Sequence, residues 1–436
     1  MTILHYETPE LPLLLAFLYF INIGDAILAH LLNAGLVGSL VVGIIFGPQA
    51  TNIIPEYALN TFIILGYIGL LLLVFEAGLS TDISLLYHNI VLSLVTALTG
   101  IVLPIVLSLL LLHFGYRYSL LQAFAAGAAP CSTSLGTTLA LLRPELRQTR
   151  TGSVLMSAAL LDDVVGLVIA AIIPNLATGE GGVPWQAIVR PILVSLAFAF
   201  GTPVVAHLLH LALRMLPARS IERVRVAQVQ LFVVVTTLSG FVAGAKYVGT
   251  SELFGAYLTG ALLSHIFSAV PSNETREEGR SSSLISPTAA FEFYLLPILQ
   301  ALLSPMFFAT IGAALPIRSL ISVDGSHRVV WRGLAYSLLM VIAKALVGFC
   351  MLVWPNPSKG HHERNDAHEP KLTDFGLAMV ARGEIALIVV QLARPLLVDD
   401  PGKDNSEAFA VVIRAILVST VGGAIGVGWL LRSWKD

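Results

Sequence analysis

The chain reads as an all-α polytopic membrane protein of about 13 transmembrane helices, built as two inverted six-helix repeats joined by a linker helix. Three observations predict this. Of 436 residues, 56% are hydrophobic and only 12% charged, against roughly 25% charged in soluble domains. Apolar stretches recur from end to end, most of them near the ~20 residues that a membrane helix needs. The two halves also echo each other in their glycines. The partner these features require is the lipid bilayer; a net charge of −2 with no basic run argues against nucleic acid. Cys131 and Cys350 both lie in apolar segments, which excludes a disulfide framework and a cysteine metal site. No cofactor or resident metal is expected. The opening MTILHYETPELP is acidic and lacks a cleavage pattern, so the first helix is expected to stay.

Spans are predicted near 11–33, 36–53, 59–79, 88–113, 119–142, 151–174, 186–213, 227–246, 251–269, 288–316, 331–354, 372–397 and 407–431. The tenth is long for one crossing and is predicted to kink at Pro297 or Pro305. An odd number of spans puts the termini on opposite sides. One face collects Arg143, Arg147 and Arg150, then Arg214, Arg219, Arg223 and Arg225, then Arg276, Arg280, Lys359, Arg364, Lys371, Arg432 and Lys435. The positive-inside rule makes that face cytoplasmic, with the N-terminus outside or luminal and the C-terminus cytoplasmic. The nominal sequon at Asn273 then falls on the cytoplasmic side, unused.

The repeat rests on particular stretches. GSLVVGIIFG at 38–47 and GAYLTGALLS at 255–264 share a Gly-x4-Gly spacing in helices two and nine. FEAGLSTD ends helix three as FFATIGAALP ends helix ten. Inverted repeats recur in secondary transporters, with the site near the midplane between them.

Ionisable groups inside spans mark function by default, since each costs roughly 2.5–3.5 kcal/mol at the bilayer centre on insertion scales. Helix six carries Asp162 and Asp163 side by side in LLDDVVGLVI, helix eleven carries Lys344, and helix twelve carries Arg382 and Glu384 in ARGEIALI. Neighbouring helix positions point about 100° apart. The two aspartates therefore have different surroundings: one meets Lys344 as an ion pair, the other opens to a water-filled cavity and a small cation. A proton and a hard cation such as Na⁺ compete for a partly buried carboxylate, and competition with alternating access is antiport. Helices five and twelve are predicted to break. Pro130 removes a backbone donor, and the hydroxyls of Ser132, Thr133 and Ser134 are expected to re-satisfy the freed groups. Near Arg382-Gly383-Glu384, an Arg at a C-terminal helix end or a Glu at an N-terminal one offsets the end charges. Asp25 and Glu76 are lone membrane acids outside this site.

These residues resemble the monovalent cation/proton antiporters, in the branch with paired aspartates. The resemblance runs through GIIFGP, FEAGLSTD, the Thr-Ser of helix five, LLDDVVGLVI, SELFGAYLTGALLS, PMFFATIG, Lys344-Ala-Leu-Val-Gly and ARGEIALI. It implies that Asp163 is the main ion- and proton-carrying carboxylate and that Asp162 pairs with Lys344. Ser132, Thr133 and Ser134 would line the cation site, and Arg382 and Glu384 would sit where two broken helices cross. It implies a core transport domain of 88–175 and 321–436 moving against a scaffold of 1–87 and 227–320, joined by linker helix 176–226. The scaffold would form a homodimer, and exchange of Na⁺ or Li⁺ would be electrogenic. Pro130-Cys131 departs from the small, unbroken stretch expected before the Thr-Ser. The sparse loops are similar to those of fungal members.

Other readings fit less well. An intramembrane aspartyl protease needs its acids facing each other from separate helices, and these are adjacent on one. A passive cation channel needs a filter stretch, and none is evident. Within the transporter class, K⁺/H⁺ exchange is the main rival. HHERNDAH at 361–368 is a solvated loop with a weak case for sensing pH, and VGGAIGVG at 421–428 reads as close helix packing.

Overall fold

The structure, a computed structural model, describes residues 11–32, 35–80, 90–133, 150–177, 185–215, 226–268, 286–315, 317–323, 327–350, 376, 379–380, 382, 384–398 and 407–433. Ser134, the sequon at Asn273 and the loop at 361–368 lie outside them. The helices are α1 (Leu11–Leu32), α2 (Gly35–Phe46), α3 (Glu56–Leu79), α4 (Ile90–Ser108), α5 (Leu120–Ala128), α6 (Arg150–Ala177), α7 (Trp185–Met215), α8 (Ala227–Val248) and α9 (Glu252–Ser268). The segmented α10 comprises Pro287–Tyr294, Leu296–Ile298, the π-helical Leu299–Leu303 and Ser304–Ala314. Then follow α11 (Arg328–Ala345), α12 (Glu384–Leu392) and α13 (Glu407–Ser433). Eight of the described helices are long and apolar enough to cross a membrane.

Local chemistry sets several boundaries. Ser119 opens α5 with a capping box, its hydroxyl accepting from the Gln122 amide while the Gln122 side chain accepts from the Ser119 amide. Gly249 closes α8 in the left-handed region at φ 90°. One expectation needs correction. Helix two stops at Phe46 rather than near 53: Pro48 follows, and residues 47–52 turn back, with the Asn52 amide bonded to the Gly47 carbonyl at 2.9 Å. In the tenth span the expected breaks are present, in the turn that precedes each proline: at Leu295 before Pro297 and across Leu299–Leu303 before Pro305. The π turn supplies the extra residue that lets Pro305 continue without its own amide.

Helix directions follow from contacts between α2, α3, α9 and α10. Along α2 and α10, Gly43 abuts Ala309 and Gly47 abuts Ala313, so the two run parallel. Along α3 and α9, Tyr67 bonds Glu252 at 2.6 Å and Phe75 abuts Gly260, again parallel. Between α3 and α10, Gly66 meets Phe307 and Gly69 meets Leu303, so those two are antiparallel. Helices α2 and α9, equivalent in the repeat, therefore point in opposite directions, as an inverted repeat demands.

The glycines confirm the register. Gly38 packs on α1 at Gly24, and its equivalent Gly255 packs on α8 at Phe241. Gly43 packs on Ala309 while Gly260 packs on Phe75, and Gly312 meets the Leu40 carbonyl as Gly78 meets that of Tyr257. Each contact in one half has its partner in the other. Helices α4 and α6 pack together as α11 and α13 do, and α4 packs on α11.

Candidate functional site

The site lies where α4, the end of α5, α6, α11 and the residues before α12 converge. α6 places Asp162 and Asp163 at its midpoint. Past Ala128, α5 tightens into a 3₁₀ turn over Ala129–Cys131, with Pro130 at φ −85°, ψ 16°, and Ser132 leaves extended at ψ 150°. This turns Thr133 toward α6. Lys344 stands in the last turn of α11, where a cation suits the helix end.

Lys344 Nζ lies 2.6 Å from Asp162 Oδ2, and both side chains are fully buried. The Thr133 hydroxyl donates to the same carboxylate oxygen at 2.8 Å and accepts from Lys344 Nζ at 2.9 Å. The three groups form a closed ring. Gly100 of α4 makes room for it, because a methyl there would sit 3.2 Å from Lys344 Nζ and 3.4 Å from Asp162 Oδ2. Arg382, also fully buried, donates through Nη1 to the Ser132 carbonyl at 3.1 Å, so a cation meets the carbonyl end of the broken helix. Glu384 is the first residue of α12, an acid at an amino end. Low local dielectric makes these charges interact strongly and makes any unpaired one costly.

Two features of the site qualify the expectation. Both aspartates are buried among the described residues, Asp162 0% and Asp163 6% exposed. Gly166 lets the neighbours close in on this face, since a methyl on it would lie 2.9 Å from Ile385 Cγ2 and 3.4 Å from Ser132 Cβ. Of the described hydroxyls of helix five, neither re-satisfies its backbone: Thr133 is engaged by the ion pair, and Ser132 Oγ has no hydrogen-bond partner among the described residues. Asp25 lies apart from this site and is half-buried, its carboxylate beside Gly35 at the amino end of α2 and 3.4 Å from Ser39 Oγ. Sequence reasoning missed Gly100 and Tyr336; the available signal for Tyr336 was a lone phenol two turns before Lys344 in an apolar helix.

A buried acid pair, one member bonded to an intramembrane lysine beside a broken helix of an inverted repeat, defines a secondary ion transporter. A family model described as sodium/hydrogen exchanger, transmembrane, matches residues 14–433. The chain belongs to that family. It is 25% identical over 397 residues to the high-affinity Na⁺/H⁺ antiporter NhaS3 of Synechocystis sp., covering 88% of this chain and 75% of that protein. It is 26% identical over 397 residues to the Na⁺/H⁺-K⁺ antiporter GerN of Bacillus cereus, covering 88% and 87%. In structure it resembles the sodium proton antiporter MjNhaP1 of Methanocaldococcus jannaschii, with a TM-score of 0.66 over 97% of each chain at 15% identity. That last likeness concerns the fold.

Proposed function

We propose that this protein exchanges Na⁺ for protons across a membrane by alternating access, with Asp163 binding either ion in turn. The observation that carries the reading is the buried Lys344–Asp162–Thr133 ring with Asp163 as its immediate neighbour. With Thr133 engaged, the unbonded oxygens Asp162 Oδ1 and Ser132 Oγ join Asp163 as candidate ligands. A small hard cation prefers such oxygens, and protonation of Asp163 removes the charge that holds it. The sodium named for both NhaS3 and GerN supports Na⁺ as the cargo, and Li⁺ fits the same chemistry. Arg382 and Glu384 offset the charges at the ends of the broken helices.

In this reading the core, 88–175 and 321–436, moves against the scaffold, 1–87 and 227–320, with 176–226 as linker. The scaffold pairs two copies as a homodimer, the N-terminus faces outside or the lumen, and the C-terminus faces the cytoplasm. Exchange is electrogenic, two protons per Na⁺.

The test uses purified protein in proteoliposomes loaded with a pH dye. Na⁺ is expected to drive dequenching more strongly than K⁺, and Asp163→Asn to abolish it. Full activity in that variant would overturn the assignment of Asp163.

A further inference from the structure

Pro130 has no amide proton for the Ala126 carbonyl four residues back, the acceptor a regular α-helix would give it. A buried carbonyl without a donor is costly. In this chain the donor comes from another helix: the hydroxyl of Tyr336, on α11 and fully buried, bonds the Ala126 carbonyl at 2.8 Å. The same hydroxyl is 2.7 Å from Ser108 Oγ of α4; with its own proton on Ala126 it accepts the serine proton, which Ser108 otherwise gives to the Pro104 carbonyl. α5 comes close enough for this because of Gly127, where a methyl would lie 2.8 Å from Ser108 Oγ and from Ile105 Cα. One phenol thus ties α4, α5 and α11 together at the break. Seven residues after Ala126, Thr133 enters the ion-pair ring, and eight residues after Tyr336, so does Lys344.

We propose that Tyr336 is a positioning residue for the ion site: it takes up the carbonyl that Pro130 frees and so fixes the break that presents Thr133 to Asp162 and Lys344. Tyr336 touches no ion. It acts through the α5 backbone, and its importance is conditional on Pro130. The functional half of this inference rests on the antiport reading; the pairing of Tyr336 with Pro130 does not.

The experiment crosses two substitutions, Tyr336→Phe and Pro130→Ala, and reads melting temperature in detergent and the Na⁺ dependence of dequenching in proteoliposomes. An alanine at 130 returns an amide to the Ala126 carbonyl. Tyr336→Phe alone is expected to lower the melting temperature and to raise the apparent KM for Na⁺ roughly 2- to 10-fold, the loss of about one hydrogen bond, with the maximal rate little changed. In the Pro130→Ala background the same change is expected to shift melting less, and KM by under about twofold. Equal melting shifts in both backgrounds would overturn the pairing whether or not Pro130→Ala transports. An unchanged KM in Tyr336→Phe, with active wild type, would overturn the positioning role. Wild-type vesicles that exchange no Na⁺ would instead refute the antiport reading, and the melting cycle would still judge Tyr336 and Pro130.

Discussion

Lys344 and Asp162 meet through one carboxylate oxygen with both side chains fully buried, and each is tolerable because the other is there. Lys344→Ala is expected to destabilise the protein by about 3–5 kcal/mol, because it leaves a buried carboxylate with Thr133 as its remaining partner. Replacing both residues with leucine should recover most of that loss while abolishing transport, as measured by melting in detergent and by dequenching. These two residues, with Asp163 and Arg382, were legible in the sequence because a charge inside an apolar span has few innocent explanations. The hydroxyls were harder. Ser132, Thr133 and Tyr336 differ in role only through which carbonyl or carboxylate each reaches, and that depends on where the helix gives way. Pro130 pointed to the break, but a sequence does not say which neighbouring helix answers it.

Between helices, glycine decides how near two backbones come. Gly43 and Gly260 occupy equivalent places, each against the other repeat's third helix. Gly43→Val and Gly260→Val are expected to lower the melting temperature by similar amounts, each by the roughly 1–3 kcal/mol of overpacking. A large loss from one and none from the other would contradict the two-fold relation. The Gly-x4-Gly spacing made this repeat visible in the sequence, and the direction of the chain followed from counting spans. The predicted second span runs past Phe46 through residues 47–52, a stretch rich in Gly, Pro and amide side chains that turns instead of winding. In α10, hydropathy runs unbroken across the π turn, where the backbone pattern changes and the composition does not.

Across the whole molecule, the reading of exchange as electrogenic makes a simple demand. With fixed Na⁺ and proton gradients, an imposed potential, negative on the side that releases protons, is expected to accelerate the net movement of two protons against one Na⁺. A rate indifferent to potential would leave a one-for-one stoichiometry. The parallel pairing of α2 with α10 also bears on how such a chain is made. α2 has 12 residues, about 18 Å of helix, against a bilayer core of ~30 Å. Besides α1, its main companion is α10, encoded roughly 260 residues downstream. At ~5–20 residues per second, the ribosome reaches it about 13–50 s later. For that interval the first half waits in the membrane with its glycine faces uncovered, so assembly finishes only after most of the chain has been synthesised, and a chain truncated before α9 is a natural target for membrane quality control.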